Sequence, residues 1–347
     1  MNSLRTSQFV VIATVALLPA ACGSAGQQPA STTSTGGTPW TPTGVSSSSP
    51  ACDHPSATLP ATDWLQVTVN GLVRYAVVRV PADARPAQPL PVLLSFHGAG
   101  SDVATQESID EFSSHPGFVV VYPEGSLVDA NSVVTNVNGW DSAGKKVDEP
   151  AFVAALLDTL GNAVCIDPSR VFAAGHSNGG MLVTTLPCAF PGRIAGIAAV
   201  EGGYDFVACP QGPPTPTLVF HGLNDKVAPI AGNSVFVPVA DLMAAAAKRN
   251  GCTAGPQTAA HGSAAITLSW TGCAAPTVLY ELKSHGHAWP GHVLPISEFT
   301  LESAIASGSG TVGSGLTPKQ MAENMLLTNT QVDASQVIRD FFTAGAS

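Results

Sequence analysis

Ser177, Asp225 and His287 are the residues whose types, order and spacing could carry a covalent acyl transfer. Ser177 is the centre of Gly175-His176-Ser177-Asn178-Gly179. Glycines two before and two after a serine permit a sharp strand-to-helix turn that lifts the hydroxyl above a sheet edge, the nucleophile elbow. That hydroxyl needs a base, and the base needs a carboxylate to orient it. Asp225, in Asn224-Asp225-Lys226-Val227, follows after 48 residues, and His287, in Gly286-His287-Ala288-Trp289-Pro290-Gly291, after a further 62. Both gaps are long enough for βα crossovers, which bring successive strand ends side by side. His285 is a rival base; His287 is preferred because it alone has the Gly286 and Trp289-Pro290-Gly291 frame. His176, beside the serine, is expected to point away from the site.

A tetrahedral intermediate also needs N–H donors for its oxyanion. The residue after the nucleophile supplies one, so Asn178 is a candidate. The apolar run of residues 91–96 followed by His97-Gly98-Ala99-Gly100 places Ala99 as the second. Trp140 and Trp289 are candidate walls of the substrate cleft, since an acyl group with an aromatic or polymeric part needs an apolar platform. Asp148 and Glu149 read as helix N-terminal charges.

These residues need a scaffold of strands ending at one edge. Short apolar runs predict strands over 92–96, 118–122, 170–174, 194–200, 217–221 and 278–282, with a turn at Asp167-Pro168-Ser169 before the third. Helical length and periodicity mark 149–164, 178–190, 235–249 and a closing helix over 332–344. Two alternating segments, 64–69 and 73–80, flank Asn70-Gly71, a hairpin signal. Alternation of strand and helix predicts an α/β fold: a doubly wound, mostly parallel sheet covered on both faces, with an antiparallel N-terminal hairpin.

Phe96-His97-Gly98, Tyr122-Pro123, Asp167-Pro168-Ser169-Arg170-Val171, the elbow through Met181, His221-Gly222 with Asp225, and Gly286-His287-Ala288-Trp289-Pro290-Gly291 resemble the polyhydroxybutyrate depolymerase and feruloyl esterase family. The resemblance spans roughly residues 62–345. It implies the α/β-hydrolase fold and a triad of Ser177, Asp225 and His287. It also implies ester substrates, either 3-hydroxybutyrate polyesters or feruloylated polysaccharides. His176 stands where the family more often has an apolar residue, and Ser284 and His285 stand where a glycine is expected. The stretch 292–331 is longer than the family pattern and is expected to shape or cover the cleft.

The 347 residues are 45% hydrophobic and 11% charged, enough for one large core. The formal net charge of −10 and the lack of a basic, aromatic-interleaved cluster argue against a nucleic-acid partner. Arg5, the apolar run 9–18 and small residues before Cys22 read as a secretory signal over 1–21. Leu18-Pro19-Ala20-Ala21-Cys22 resembles a lipobox, which would lipidate Cys22 and make a lipid anchor the only membrane contact; cleavage and free secretion is the alternative. Residues 22–55 are rich in Gly, Ser, Thr and Pro and read as a flexible tether, leaving 56–347 as the α/β-hydrolase domain. The remaining cysteines, Cys52, Cys165, Cys188, Cys209, Cys252 and Cys273, suggest three disulfides in an oxidising compartment, with Cys252 and Cys273 the pair the spacing favours. Metal-ligand spacings such as C-x-x-C and H-x-x-x-H do not occur, so neither a metal nor an organic cofactor is expected.

The expectation is a monomeric, secreted or lipid-anchored serine esterase. A peptidase on the same fold and a non-catalytic surface binding protein are the other classes.

Overall fold

A computed structural model describes residues 46–53, 64–85, 87–129, 136–292, 315–316 and 318–344. Cys22, the signal and most of the tether lie outside them.

Strands β1 (Trp64–Val69) and β2 (Leu72–Arg79) form the expected hairpin. Its turn residues Asn70 and Gly71 have φ of 51° and 81°, the left-handed pair that a tight hairpin turn requires. β3 (Leu90–Phe96), β4 (Val119–Pro123), β7 (Ile166–His176), β8 (Gly196–Val200), β9 (Thr217–Gly222) and β12 (Thr277–Leu282) run parallel. A hairpin of β5 (Ser126–Val128) and β6 (Val137–Gly139) stands apart from them. β10 (Ala254–His261) and β11 (Ala265–Thr271) extend the far edge antiparallel. The ten-stranded order is β1-β2-β4-β3-β7-β8-β9-β12-β11-β10. This is the α/β-hydrolase fold.

Helices α1 (Val103–Asp110), α2 (Glu149–Ala163), α3 (Asn178–Ala189) and α4 (Val239–Arg249) lie between the strands, and Pro318–Leu326 and Ala334–Ala344 follow the last. One core joins Phe152, Leu156 and Leu160 of α2 with Met181 and Leu186 of α3 against Leu94 and Val121. A second, containing Leu93 and Val120 of the sheet, includes Ile109 of α1 and Ile338 and Phe342 of the last helix. The alternation of Leu93 and Leu94 between the two is the two-residue period of a strand covered on both faces.

Two boundaries differ from the sequence reading. Asp167-Pro168-Ser169 is no turn but the irregular start of β7, where the pairing with β3 shifts register between Leu90 and Val92. Asp167 satisfies the interrupted backbone by accepting from Ser169 N–H at 2.9 Å, and it pairs with Arg170 at 2.7 Å. Residues 49–52, counted with the tether, belong to the domain. Ser49 N–H donates to Ile166 O at 2.9 Å, and Cys52 is bonded to Cys165. The other disulfides are Cys188–Cys209 and the expected Cys252–Cys273.

Candidate active site

Four parallel strands deliver the site at their carboxyl ends, where open α/β sheets bind ligands. β7 ends at His176, and Ser177 follows with φ 51° and ψ −117°. Such backbone costs a non-glycine residue about 1–3 kcal/mol and persists only where its surroundings fix it. Here Ser177 N–H donates to Val200 O and Met181 N–H to Ser177 O, both at 2.9 Å. The flanking glycines serve close approach. A Cβ on Gly179 would stand 2.3 Å from Phe96 O, and one on Gly175 would stand 2.5 Å from the Gly179 carbonyl carbon.

The structure brings the three sequence-predicted polar residues together. His287 Nε2 is 2.8 Å from Ser177 Oγ, and its Nδ1 is 2.7 Å from Asp225 Oδ2. An ionised carboxylate accepts, so Nδ1 carries the proton and Nε2 faces the hydroxyl as a base must. Asp225 Oδ1 accepts from Val227 N–H at 2.8 Å and Ala228 N–H at 2.9 Å, which leaves Oδ2 for the imidazole. Burial alone would raise the Asp225 carboxyl; His287 and the hydrogen bonds hold it down at about 2. Ser177 is half-buried, while His287 and Asp225 are buried.

The rival histidines have other tasks. His285 Nδ1 accepts from Asn329 N–H at 2.7 Å, so its proton is on Nε2, directed at Ala288 O at 3.1 Å. Burial pushes it down to about 4. His176 is buried with its ring centroid 5.2 Å from that of His287. Burial and the neighbouring His287 lower it to about 3, so it stays neutral.

Asn178 opens α3, where first-turn N–H groups have no intrahelical acceptor. A Cβ on Gly98 would stand 3.3 Å from Ser177 Cβ, so the loop containing Ala99 runs against the serine. Asn178 N–H and Ala99 N–H thus belong to segments that meet at Ser177.

Trp140 and Trp289 are not cleft walls. They are 0% and 1% exposed, so neither offers a ring face to a ligand. Trp140 is instead a strut between the two candidate oxyanion segments. Its backbone N–H donates to Asn178 Oδ1 at 2.7 Å, its carbonyl accepts from Asn178 Nδ2 at 3.1 Å, and its indole Nε1–H donates to His97 O at 2.8 Å. Behind it Arg74 pairs with Glu149 at 3.1 Å, and Glu149 accepts from Asp141 N–H at 3.2 Å. Glu149 is thus a buried ion-pair partner rather than a solvated helix-terminal charge. His97 adds to the brace: Nε2 accepts from Gly125 N–H at 3.0 Å, so Nδ1–H donates to Gly98 O at 2.8 Å. Trp289 packs edge-on to Phe112 and donates Nε1–H to Ser335 Oγ at 2.9 Å.

Of the stretch 292–331, residues 293–314 and 317 lie outside the description. The Pro318–Leu326 helix clamps the site loops. Asn324 Oδ1 accepts from Lys226 N–H at 2.9 Å, its Nδ2 donates to Asn224 O at 2.8 Å, and its carbonyl accepts from His287 N–H at 3.0 Å. One residue therefore ties the Asp225 loop, through its side chain, to the His287 loop, through its carbonyl.

Glu201, His221 and Asp225 form a buried group whose ligand-type atoms lie within 4.8 Å of one another. Each has a protein partner: His221 Nε2–H donates to Ala228 O at 2.8 Å, Glu201 Oε2 accepts from Gly222 N–H at 2.8 Å, and Asp225 serves His287. That donor set fits a hydrogen-bond network rather than a cation. Sequence reasoning missed Glu201 and Asn324. A carboxylate closing an apolar strand ahead of Gly202-Gly203 was a readable signal for the first; nothing local marks Asn324.

No family model matches the chain. It is 32% identical over 161 residues to a bifunctional acetylxylan esterase/xylanase of Neocallimastix patriciarum, covering 46% of this chain and 22% of that protein. To feruloyl esterase C of Emericella nidulans it is 27% identical over 219 residues, covering 60% of this chain and 73% of that protein. Among solved structures, acetyl xylan esterase from Aspergillus awamori superposes with a TM-score of 0.46 at 15% identity, over 70% of this chain and 98% of that one. The chain thus spans about a fifth of the first relative's length and about three quarters of the second's. The resemblance carried by its motifs is matched by curated relatives named as feruloyl and acetylxylan esterases.

Proposed function

We propose that the protein is a serine carboxylic-ester hydrolase. The observation that carries this reading is the relay of Ser177 Oγ, His287 and Asp225 at 2.8 and 2.7 Å, with the serine on a strained elbow. Ser177 attacks the ester carbonyl as His287 Nε2 takes its proton, and Asp225 stabilises the imidazolium. The N–H groups of Asn178 and Ala99 receive the oxyanion. His287 returns the proton to the departing alkoxide, leaving an acyl-enzyme, and then activates the water that releases the acid.

For substrate we propose acyl esters of carbohydrates, feruloyl or acetyl, in keeping with the relatives' names; the motif resemblance supports polyhydroxybutyrate as the second reading. Three disulfides favour an oxidising compartment, and the N-terminal pattern supports export, with Cys22 as the lipid attachment point. Fluorophosphonate should label the protein and not Ser177→Ala. A panel of methyl ferulate, acetylated xylan and polyhydroxybutyrate film, with an ester and its matched amide, ranks the substrate classes. Labelling of Ser177→Ala at the wild-type rate would overturn the triad, and faster cleavage of the amide would make the protein a peptidase.

A further inference from the structure

Glu201 follows the last residue of β8 with a left-handed φ of 47° and is wholly buried. Its backbone is pinned by Glu201 N–H to Phe220 O at 3.0 Å, and its side chain by Gly222 N–H to Oε2 at 2.8 Å. A left-handed, buried glutamate is strained twice over, which points to a task for its carboxyl group.

The groups facing that carboxyl are Tyr204 from its own loop, His221 and Asp225 from β9 and the turn after it, and His285 from the loop after β12. His176 from the elbow and His285 complete the ring around His287. None is a fixed cation. His285 Nε2 lies 3.4 Å from Glu201 Oε1, but its proton is directed at Ala288 O. His221 Nε2 lies 3.9 Å from Glu201 Oε2 and 3.7 Å from Asp225 Oδ2, with its proton on Ala228 O. Both rings are kept neutral by burial. A carboxyl oxygen of Glu201 lies within 4.8 Å of one of Asp225, and Glu201 Oε1 is buried with no hydrogen-bond donor of its own. Two carboxyl groups buried this close to one another do not both ionise. Asp225 has three N–H donors, from Val227, Ala228 and His287, against one for Glu201, so the negative charge resides on Asp225. Burial and the adjacent Asp225 charge both push Glu201 well up.

We propose that Glu201 is a positioning residue: a neutral carboxylic acid that donates a hydrogen bond to the Asp225 carboxylate, fixing its orientation toward His287. The proposal rests on the triad reading, in which Asp225 is the acid. A neutral donor takes up part of the Asp225 charge, so Glu201 also tempers how strongly the imidazolium is held.

The test has two arms. Infrared difference spectra of the wild type against Glu201→Gln at pH 7 should contain a protonated carboxylic acid C=O band that the variant lacks; its absence from the wild type overturns the proposal regardless of catalysis. In the second arm, the Gln amide can donate to Asp225 and accept from Gly222 as the neutral acid does. Glu201→Gln should therefore move the acid limb of kcat/KM by less than about half a pH unit, whereas removing a negative charge beside His287 would lower it by about one unit or more. Glu201→Leu, which lacks a donor, should lose about tenfold in kcat with KM unchanged, and Glu201→Gln should recover most of that. A Glu201→Gln limb displaced by a full unit overturns the proposal, as does a Gln variant no better than Leu. Failure of the triad itself is read separately, from undiminished turnover by Asp225→Ala.

Discussion

Replacing Trp140 by Phe isolates the indole N–H as a positioning device. The phenyl ring keeps the edge-on contact with Phe96, at 5.1 Å between centroids, and stays beside Arg74. The two bonds to the Asn178 side chain come from the Trp140 backbone and survive. What disappears is the 2.8 Å donation from Nε1 to His97 O, in a site with no solvent to replace it. An acceptor stranded in this way costs about 1–3 kcal/mol, so urea unfolding should show a loss of that order. The same bond fixes the peptide leading into Gly98 and Ala99. Complete loss of an oxyanion donor costs about 10²–10³ in kcat, and a donor that is present but loosened should cost about tenfold. Measured on p-nitrophenyl acetate and methyl ferulate, kcat should fall about equally for both, with KM within about twofold of wild type. A KM that rises for the ferulate alone, with kcat intact, would mean that the ring contacts the acyl group and that the strut reasoning is wrong.

His287→Ala should lower turnover by about 10⁴-fold or more, whereas His285→Ala should chiefly lower stability, since it strands Asn329 N–H. Equal kinetic losses would move the base. Acid should destabilise the protein early. His285 and His176 titrate at about 4 and about 3 in the folded state, below the unfolded value near 6.5. The unfolded chain therefore binds more protons between those limits, and stability is complete above about pH 6.5 and declines toward pH 4 and 3, by up to a few kcal/mol per group. Urea midpoints at pH 7 and pH 5 should differ accordingly, and His176→Gln should shrink the difference; a midpoint constant over that range contradicts the sign. The Asp225 contribution is lost only in stronger acid, as pH falls from about 4 toward about 2. Cys52–Cys165 spans 113 residues and Cys252–Cys273 spans 21, so loop closure assigns about 5 and about 3 kcal/mol to them. Paired serine variants should melt in that order, and the reverse order would rule out chain entropy as the cause.

The fold was readable because each central strand carries a short apolar run, and because Asn70-Gly71 and the elbow glycines leave few backbone choices. β10 was missed: its eight residues are all exposed, so neither face carries a hydrophobic period. α1 was missed because two of its four buried residues, Gln106 and Asp110, are polar and break the apolar period; its start is fixed by Asp102 accepting from Thr105 N–H at 2.9 Å, a cap that could have been noticed. In the site, the meeting of Ser177, Asp225 and His287 was legible from order and frame. The two tryptophans were misassigned because an aromatic in a loop at a strand end looks alike in sequence whether it faces substrate or core. The difference lies in partners from distant segments, His97 O for Trp140 and Ser335 Oγ for Trp289. Asn324 was invisible for the same reason, since the Asp225 loop that its side chain holds lies about a hundred residues away.

The Cys52–Cys165 bond fixes the end of the sheet from which the N-terminal segment departs. Cys165 immediately precedes β7 and Ser177 immediately follows it, so the eleven residues of that strand separate the two by roughly 35 Å at the rise of an extended chain. The segment before Ser49 therefore leaves from the pole opposite the nucleophile, and the disulfide prevents it from peeling away from that pole. Whatever holds the N-terminal segment, a pull along it is borne by the floor of the sheet rather than by the loops around Ser177.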